Sequence, residues 1–246
     1  MGIPKTVVDR LLRENEHHEC PDSPETCVRI RAIAELPTRF GDYQVVAFLN
    51  NSDNKEHAAF VHGNVFEKEA VPVRIHSECL TGDAIGSLRC DCRDQLIDSL
   101  EKIGKMDAGL VIYLRQEGRG IGFANKIRAY QLQDAGADTV EANEMLGFRP
   151  DERDYGIAAH ILGSLHVGSI RIMTNNPDKV RDLQTHGVTI VERIPVVVPP
   201  TDRNLGYLET KRRKMGHLLD LEQNDEPEPA PEPGVPERAA PGRGSA

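Results

Sequence analysis

Residues 110–133 read LVIYLRQEGRGIGFANKIRAYQLQ, and the hydrophobic pattern changes its period within this stretch. The apolar run at residues 110–114 predicts a buried strand, because it is short and is followed by polar residues. The glycines of residues 118–122 predict a tight turn, and a helix is predicted over residues 124–133, ended by Gly136. A strand, a glycine-rich turn and a helix in this order are typical of proteins that pack helices on a sheet.

The rest of the chain divides near Cys92 into two halves with different patterns. Before it, short apolar runs separated by turn residues predict strands at residues 28–33, 43–49, 57–61 and 71–75. After it, helices are predicted at residues 96–103, ended by Gly104, at 157–165, from Asn176 and Pro177 to Gly187, and near 208–221, where the helix is charged. Strands are predicted at residues 169–173 and 188–194. The sequence therefore predicts a mixed α/β (α+β) fold with a β-rich N-terminal half followed by alternating strand–helix units.

The composition excludes several classes of protein. The chain has 246 residues, of which 39% are hydrophobic and 28% charged, as in soluble globular proteins. No run approaches the roughly 18 uncharged apolar residues that span a bilayer, and residues 1–15 lack the order of a secretory signal, so we expect a cytoplasmic protein. No membrane partner is expected either. The formal net charge of −9 shows no broad basic excess that would favour nucleic acid as a partner, although a local cluster of arginines could bind a small anion.

The chain is expected to contain one folded domain between two appendages. Residues 28–221 carry the predicted strands of the sheet and the helices, and residues 1–27 form an N-terminal extension. Residues 222–246 are expected to be a disordered, acidic and proline-rich tail, because alternating Glu and Pro residues cannot form a core or a helix. Cys20 and Cys27, both in the extension, are interpreted as ordinary thiols.

Three further cysteines have a spacing that suits a metal ion. Cys79, Cys90 and Cys92 form the pattern C-x10-C-x-C. On an extended chain, residues i and i+2 point to the same side, so the last two thiols could hold one ion together with the first. Three thiolates leave one open position on a tetrahedral zinc ion, as in catalytic sites. A structural metal site with a fourth ligand elsewhere, or three buried thiols without metal, fits the spacing as well. The polar residues before the first cysteine favour catalysis, since Glu78 is suited to activating a water molecule.

The glycine-rich turn also carries charge, because Arg115 and Arg119 lie among its glycines. Backbone amides, a helix N-terminus and bidentate guanidinium groups all bind phosphate oxygens. The motif matches neither the P-loop nor the dinucleotide-binding fingerprint, and a plain tight turn also explains the glycines. The two arginines favour anion binding.

Other polar motifs have simpler explanations. The acids of residues 151–155 precede a predicted helix and stabilise its N-terminus. Residues 174–179, TNNPDK, cap the next helix, although Lys179 could also bind a phosphate group. Residues 211–214, KRRK, are interpreted as a solvated helix face.

Six motifs, in order, resemble the GTP cyclohydrolase II family: RIHSECLTGD at residues 74–83, GSLRCDC at 86–92, RQEGRGIG at 115–122, NKIRAY at 125–130, DTVEAN at 138–143 and TNNP at 174–177. The likeness extends over residues 28–221. It implies an enzyme, a hydrolase acting on cyclic amidines, that opens the imidazole ring of GTP in the first step of riboflavin biosynthesis. The products would be formate, pyrophosphate and 2,5-diamino-6-ribosylamino-4(3H)-pyrimidinone 5′-phosphate. The resemblance also implies one Zn²⁺ per chain, Mg²⁺ with the triphosphate, and a homodimer.

The resemblance further implies roles for residues at matching positions. The zinc ligands would be Cys79, Cys90 and Cys92. The GTP-binding positions would be Arg74, Ile75, His76, Ser77, Glu78, Gln95, Glu117, Gly118, Arg119, Thr139, Thr174 and Lys179. Asp151 would be the proton acceptor, Arg153 the nucleophile toward the α-phosphate, and Tyr130 a residue needed to complete ring hydrolysis. Because a guanidinium group stays protonated, Arg153 is also interpreted as a clamp on phosphoryl charge, and both roles stay open.

The chain departs from the common family pattern after the last cysteine, where Arg93 and Asp94 replace a glycine-led dipeptide. Its length leaves no room for the dihydroxybutanone phosphate synthase domain that is fused to many members, so we expect a monofunctional chain. Two other functions also fit the motifs. One is a partial reaction that yields a formamidopyrimidine nucleotide, against which Tyr130 argues, and the other is a non-catalytic, zinc-stabilised nucleotide-binding module.

Overall fold

The computed structural model describes residues 2–16, 18, 26–53 and 55–219. Its strands are β1 (Val28–Thr38), β2 (Gly41–Asn50), β3 (His57–His62), β4 (Val71–Ser77), β5 (Gly109–Leu114), β6 (Ile170–Met173) and β7 (Ile190–Ile194). They form one seven-stranded sheet in the order β1-β2-β3-β5-β4-β6-β7.

The sheet changes from antiparallel to parallel pairing at β5. The strands β1, β2, β3 and β5 pair antiparallel, whereas β5, β4, β6 and β7 pair parallel. Strand β4 is buried along almost its whole length, as expected for a parallel strand that is covered on both faces. Ser77 at the end of β4 pairs with Leu114 at the end of β5. The loops that follow these two strands therefore leave the sheet side by side at the same edge.

Helices cover the sheet. They are α1 (Lys5–Glu16), α2 (Leu80–Asp83), α3 (Cys92–Gly104), α4 (Phe123–Asp134), α5 (Thr139–Met145), α6 (Gly156–Ser164), α7 (Pro177–Thr185) and α8 (Leu205–Met215). A 3-10 turn at Glu117–Gly120 precedes α4. The main core joins Ile75 and Ile112 of the sheet to Ile161 and Leu183 of the helices, all fully buried. No described helix combines the length and the apolar character needed to cross a membrane.

The structure confirms the mixed α/β fold, with its β-rich N-terminal half and its alternating strands and helices. The last helix differs from its predicted extent near residues 208–221, since it begins at Leu205 and ends at Met215. The reason is Gly216, which adopts the left-handed conformation at φ 62° and so ends the helix. Residues 220 and 221, and the tail expected at 222–246, lie outside the described residues.

Three helices, the single turn α2 and the longer α1 and α5, go beyond what the sequence patterns predicted. Helix α1 belongs to the N-terminal extension, and it packs on the core through Leu11, which is fully buried. Helix α5 begins with a capping box, in which Asp138 accepts hydrogen bonds from the first turn and Glu141 accepts one from the amide of Asp138. That S/T/D-x-x-E pattern is a start signal that can be read from the sequence.

Candidate active site

A cleft opens at the sheet edge where β4 and β5 end. Its volume is about 1170 Å3, including space that is open to solvent. The loop after β4 supplies the first cysteine, and the loop after β5 supplies the glycine-rich turn. Helices α3, α4, α5 and α8 and the loop before α7 supply the other walls. The cleft therefore combines residues from six of the predicted motifs.

Three thiols meet at one side of the cleft. The sulfur atoms of Cys79, Cys90 and Cys92 all lie within 4.8 Å of one another, and the first two are 3.7 Å apart. The argument from an extended chain was wrong in its detail, because Cys92 is the first residue of α3 rather than part of a strand. A Cβ atom at Gly82 would lie 3.0 Å from two of these sulfurs. These three soft donors could hold a metal ion.

A buried cation stands beside the thiols. Lys126 on α4 donates hydrogen bonds from Nζ to Cys79 Sγ, 3.1 Å away, and to Glu117 Oε1, 2.8 Å away. Hydrogen bonds with the other two thiols, followed by the charge of Lys126, hold the pKa of Cys79 well below its usual range. The hydrogen bond to that same sulfur raises the pKa of Cys90 to about 11. The cluster and Lys126 therefore favour the charged form of Cys79.

A carboxylate organises the loop behind the first cysteine. Asp83 accepts hydrogen bonds from the Cys79 amide at 3.0 Å, from the Tyr113 hydroxyl at 2.8 Å and from His76 Nε2 at 3.0 Å. Burial lowers the pKa of His76, so its imidazole is neutral. With Nε2 donating to the carboxylate, Nδ1 is left as an acceptor, and it is buried without a partner among the residues described. His76 therefore offers one unused acceptor at the cleft.

Tyr130 lies close to the thiols. Its hydroxyl is 3.3 Å from Thr81 Oγ1, which is itself 3.8 Å from Cys79 Sγ. The guanidinium group of Arg89 lies 4.8 Å from the centre of the Tyr130 ring. Burial raises the pKa of Tyr130, so the hydroxyl keeps its proton and can act as a donor.

The cleft is also rich in buried cations, which form its cationic side. Arg74 donates to the carbonyl of Met173 at 3.0 Å and to Gln95 Oε1 at 2.6 Å. Lys179 donates to the carbonyl of Ile75 at 2.7 Å. Burial, with the neighbouring positive charge of Arg74, lowers the pKa of Lys179 well below its usual value. Neither group forms an ion pair with a described residue, although the charges of Asp91 and Asp151 act on them, and a phosphate chain would supply a direct partner.

Arg153 and Arg119 extend this cationic side. Arg153 donates from Nε to Asp151 Oδ1 at 2.8 Å and from NH2 to Oδ2. Burial by itself would lower the pKa of Arg153, but Tyr155 and Asp151 outweigh it and the pKa is raised. Arg119 donates to Thr139 Oγ1 at 3.2 Å, which joins the glycine-rich turn to α5. Hydrogen bonds therefore hold both guanidinium groups in place.

The glycine-rich turn does not present an empty set of amides. The amides of Gly118, Ile121 and Gly122 all donate to Glu117 or to the turn itself. Gly118 is at φ 62° and Arg119 at φ 59°, so both adopt the left-handed region. The turn thus aims the Glu117 and Arg119 side chains into the cleft, whereas Arg115 pairs loosely with Glu78 and does not line the cleft.

The cleft brings together nearly all of the residues predicted from the sequence. Those that line it are Arg74, His76, Ser77, Glu78, Cys79, Cys90, Cys92, Gln95, Glu117, Gly118, Arg119, Tyr130, Thr139, Arg153, Thr174 and Lys179. Two do not line it. Ile75 is a fully buried core residue whose carbonyl accepts a hydrogen bond from Lys179, and Asp151 accepts hydrogen bonds from Arg153, which does line the cleft.

Several residues that line the cleft were not predicted from the sequence. Lys126 and Arg89 lie within the motifs quoted above, but no role was predicted for them. The interpretation of residues 211–214 as a solvated face was wrong for Lys211, whose side chain is 11% exposed and whose Nζ lies 2.9 Å from Asp91 Oδ1. Tyr207 and His217, on α8 and just after it, also line the cleft.

Comparisons with known proteins show which family the chain is similar to. The family model for GTP cyclohydrolase II matches residues 29–195. The GTP cyclohydrolase-2 of Picrophilus torridus is 57% identical over 186 residues, which cover 76% of this chain and 96% of that protein. The riboflavin biosynthesis protein RibBA of Bacillus cereus is 48% identical over 219 residues, 89% of this chain, and this chain spans about half of its length, 54%.

Among solved structures, RibBX, a two-domain 3,4-dihydroxy-2-butanone 4-phosphate synthase from A. baumannii, aligns with a TM-score of 0.38 and 14% identity, over 78% of this chain and 44% of that chain. That likeness is too low to bear on the site. The match of the family model and the identity to the Picrophilus protein are sufficient, and the chain belongs to the GTP cyclohydrolase II family.

Proposed function

We propose that this protein is a GTP cyclohydrolase II that hydrolyses the imidazole ring of GTP in riboflavin biosynthesis. Family membership supports the activity. The observation that carries the proposal is that one cleft joins three clustered thiols to a wall of buried cations. The purine ring of GTP would lie at the thiols, and its triphosphate would neutralise the charge of the cations. The products would be formate, pyrophosphate and the diaminopyrimidinone ribosyl phosphate.

The thiols of Cys79, Cys90 and Cys92 would hold one Zn²⁺. When bound, zinc would supply a Lewis acid that activates water for attack on the electron-poor C8 of guanine. The ion must displace the remaining thiol protons, and Lys126 already favours the charged form of Cys79. Mg²⁺ would arrive with the substrate, since it binds the oxygens of a triphosphate and few protein ligands.

The chain's own residues would bind and orient the nucleotide. Arg119, Arg153 and Lys179 would attract the phosphate oxygens, and the buried setting strengthens each contact. Because Arg153 is paired with Asp151 and remains charged, its proposed role is that of a clamp on the α-phosphate rather than a nucleophile. Asp151 then orients this clamp, and its assignment as a proton acceptor is a separate proposal that requires it to leave the ion pair.

Proton transfer near the ring would fall to residues next to the thiols. Burial raises the pKa of Glu78, which makes this carboxylate a stronger base. His76 offers its unused Nδ1 acceptor to the nucleotide. Tyr130 keeps its proton and would donate it to a nitrogen of the opening ring. Tyr130 also favours the full reaction over the one that stops at a formamidopyrimidine.

The protein is further proposed to act as a cytoplasmic homodimer. The exposed side chains of Ile85, Leu88 and Phe123, which are 76%, 64% and 45% exposed, suit contact with a second copy. The cytoplasm is reducing and keeps a thiol cluster ready for metal. Light scattering after gel filtration would detect the dimer through a doubled mass.

The activity is tested with purified, zinc-loaded protein, GTP and Mg²⁺. We expect formate and pyrophosphate in equal amounts, and loss of formate release when zinc is chelated. Cys79→Ser should lose zinc and formate release together, whereas the control Cys27→Ser, a thiol outside the cluster, should keep both. Intact GTP after incubation with fully zinc-loaded protein would refute the proposal. Zinc binding with a stable fold but no turnover would instead favour a nucleotide-binding module.

A further inference from the structure

The C-terminal helix α8 lies beyond residue 195, where the match of the family model ends. It nevertheless forms one wall of the cleft, through Tyr207, Lys211 and Met215, and the turn after it adds His217. None of these four residues was given a role by the motifs or by the family resemblance. Their position raises the question of what they do for the nucleotide.

Three contacts hold α8 over the cleft. Lys211 pairs with Asp91, which lies between two of the three cysteines, at 2.9 Å. Lys214 pairs with Glu141 at 2.9 Å and with Asp138, both in the capping box of α5. Because the partners belong to separate walls of the cleft, the helix has a fixed position relative to both the thiols and α5.

The turn after α8 is fixed as well. Gly216 adopts the left-handed conformation, and the amide of His217 donates to the carbonyl of Lys211 at 3.1 Å. The next amide, that of Leu218, donates to the carbonyl of Asn175 at 2.9 Å. Asn175 belongs to the loop before α7, which lines the cleft on its cationic side. These backbone contacts hold His217 between α8 and that loop.

The His217 side chain lines the cleft. Its Nε2 atom is buried and has no hydrogen-bond partner among the residues described. The groups whose positive charge acts on it are Lys211, Arg153, Lys179 and Arg119. A buried imidazole nitrogen normally has a partner. Here the surrounding cations offer it no acceptor, whereas an anion drawn in by those same cations would.

We propose that α8 completes the nucleotide site and that His217 donates a hydrogen bond from Nε2 to a phosphate oxygen of the substrate. This inference rests on the proposed function, since it assumes that a nucleoside triphosphate occupies the cleft. His217 is then a substrate-binding residue that the motifs did not assign. A neutral imidazole is suited to the task, because it adds a directed donor to a site that already has ample positive charge.

The test compares wild-type protein with His217→Ala, His217→Gln and the control His160→Ala, which replaces an exposed histidine of α6. Steady-state formate release gives KM and kcat for GTP. Inhibition constants are measured for two competitors, tripolyphosphate for the phosphate half of the site and guanosine for the other half. Circular dichroism and zinc content are recorded for every variant.

We expect His217→Ala to raise the KM for GTP about tenfold, the effect of one hydrogen bond to a charged group, with little change in kcat. The inhibition constant of tripolyphosphate should rise in parallel, and that of guanosine should not change. His217→Gln should recover part of the affinity, because its amide can donate in place of Nε2. His160→Ala should behave as wild type.

Two outcomes would overturn the inference. One is a wild-type KM in a folded, zinc-loaded His217→Ala protein. The other is equal weakening of guanosine and tripolyphosphate, which would reflect a general loss of structure, and His217→Gln would then weaken both as well. If wild-type protein releases no formate from GTP, the proposed function itself fails, and that result is distinct from either of these.

Discussion

Lys211 of the C-terminal helix α8 places its Nζ 2.9 Å from Oδ1 of Asp91, the residue between two of the three clustered cysteines. Both side chains are almost completely buried, at 11% and 3% exposure. The other oxygen of Asp91 accepts a hydrogen bond from Gln95, which in turn binds Arg74. One carboxylate thus links the thiol cluster, the cationic wall and the last helix.

Replacement of Lys211 by methionine should therefore be costly. Removing one partner of a buried ion pair leaves a buried charge, and we expect the free energy of unfolding to fall by about 3 kcal/mol. Urea denaturation of the wild type and the variant measures this change in the free energy of unfolding. The double variant with Asp91→Asn should recover much of the loss, since neither charge remains, and Lys68→Met at an exposed position is the matched control. A Lys211→Met loss no larger than that of the control would show that the pair does not hold α8.

Gly82 offers a test of the metal site that leaves every thiol in place. A Cβ atom there would lie 3.0 Å from the sulfurs of Cys79 and Cys90, so Gly82→Ala should displace the ligands. We expect zinc affinity to fall about tenfold or more, as is typical when the surroundings of metal ligands are disturbed. Competition with a chromogenic chelator gives the affinity. Gly163→Ala, where an added Cβ meets no atom within 4 Å, should bind zinc as wild type does, and equal affinity in both variants would contradict a metal at the three thiols.

The sequence predicted the thiols and the cationic turn but not the residues that support them. Cys90 and Cys92 are near neighbours in the chain, so their common task can be read from spacing. Lys126 lies 47 residues from the thiol it contacts, and Lys211 lies 120 residues from Asp91. Such pairs arise only when the sheet brings distant loops to one edge, and a charged helix such as α8 has the same local pattern whether its lysines meet water or a buried carboxylate.

The fold, too, could be predicted where it depends on local patterns, and not where it depends on contacts between distant segments. The strands and most helices follow from apolar periodicity, which is a local property. Helix α1 is amphipathic too, but residues 1–27 were predicted to be an extension outside the domain. In the structure, Leu11 of this helix packs into the main core. Whether such a segment is an appendage or part of the domain depends on the surface it covers, and no local pattern encodes that surface.

The two roles open to Arg153, a phosphate clamp and a nucleophile, can be separated by experiment. Its pairing with Asp151 and its raised pKa favour the clamp. We expect Arg153→Lys to lower kcat/KM for GTP by about 10- to 100-fold, because lysine keeps the charge but loses the bidentate geometry. Rapid quenching followed by intact-mass measurement of the wild-type enzyme should find no guanylylated protein. A covalent adduct that is present in wild type and absent in Arg153→Lys would support the nucleophile instead.

His217 should make stability depend on pH. Burial, together with the charges of Lys211 and Arg153, lowers its pKa to about 3, from an ordinary value of 6.5. Below the ordinary value, the unfolded chain binds a proton that the folded chain does not, so stability falls as the pH falls. Between about pH 6 and pH 5, wild type should lose up to about 1.4 kcal/mol more than His217→Gln.

Urea unfolding of both proteins across that pH interval, at one zinc concentration, measures the difference. The other buried histidines, His57 and His76, are common to both proteins, so their contributions cancel. Parallel stability curves would mean that His217 is solvated in the folded protein, which would also remove it from the wall of the cleft.

Tyr130 should decide how far the reaction proceeds. Its hydroxyl lies 3.3 Å from Thr81 Oγ1 beside the thiols, and burial keeps it protonated. In Tyr130→Phe the ring still contributes its face to Arg89, but the proton donor is gone. We expect pyrophosphate release to continue while formate release falls about 100-fold or more, in the range found for loss of a general acid. The nucleotide that accumulates should be a formamidopyrimidine, identifiable by its mass.

Tyr130→Phe leaves the cationic wall unchanged. Pyrophosphate release should therefore continue while formate release falls. Arg119, Arg153 and Lys179 would still bind the triphosphate, so the phosphate step does not need the tyrosine hydroxyl. Tyr43→Phe is the matched control, because that hydroxyl donates to the carbonyl of Leu100 in the core at 2.6 Å and does not line the cleft. It should lower stability but leave the ratio of formate to pyrophosphate at one. If Tyr130→Phe slows both products equally, the hydroxyl acts in binding or before the ring opens, and the assignment of Tyr130 to the release of formate is wrong.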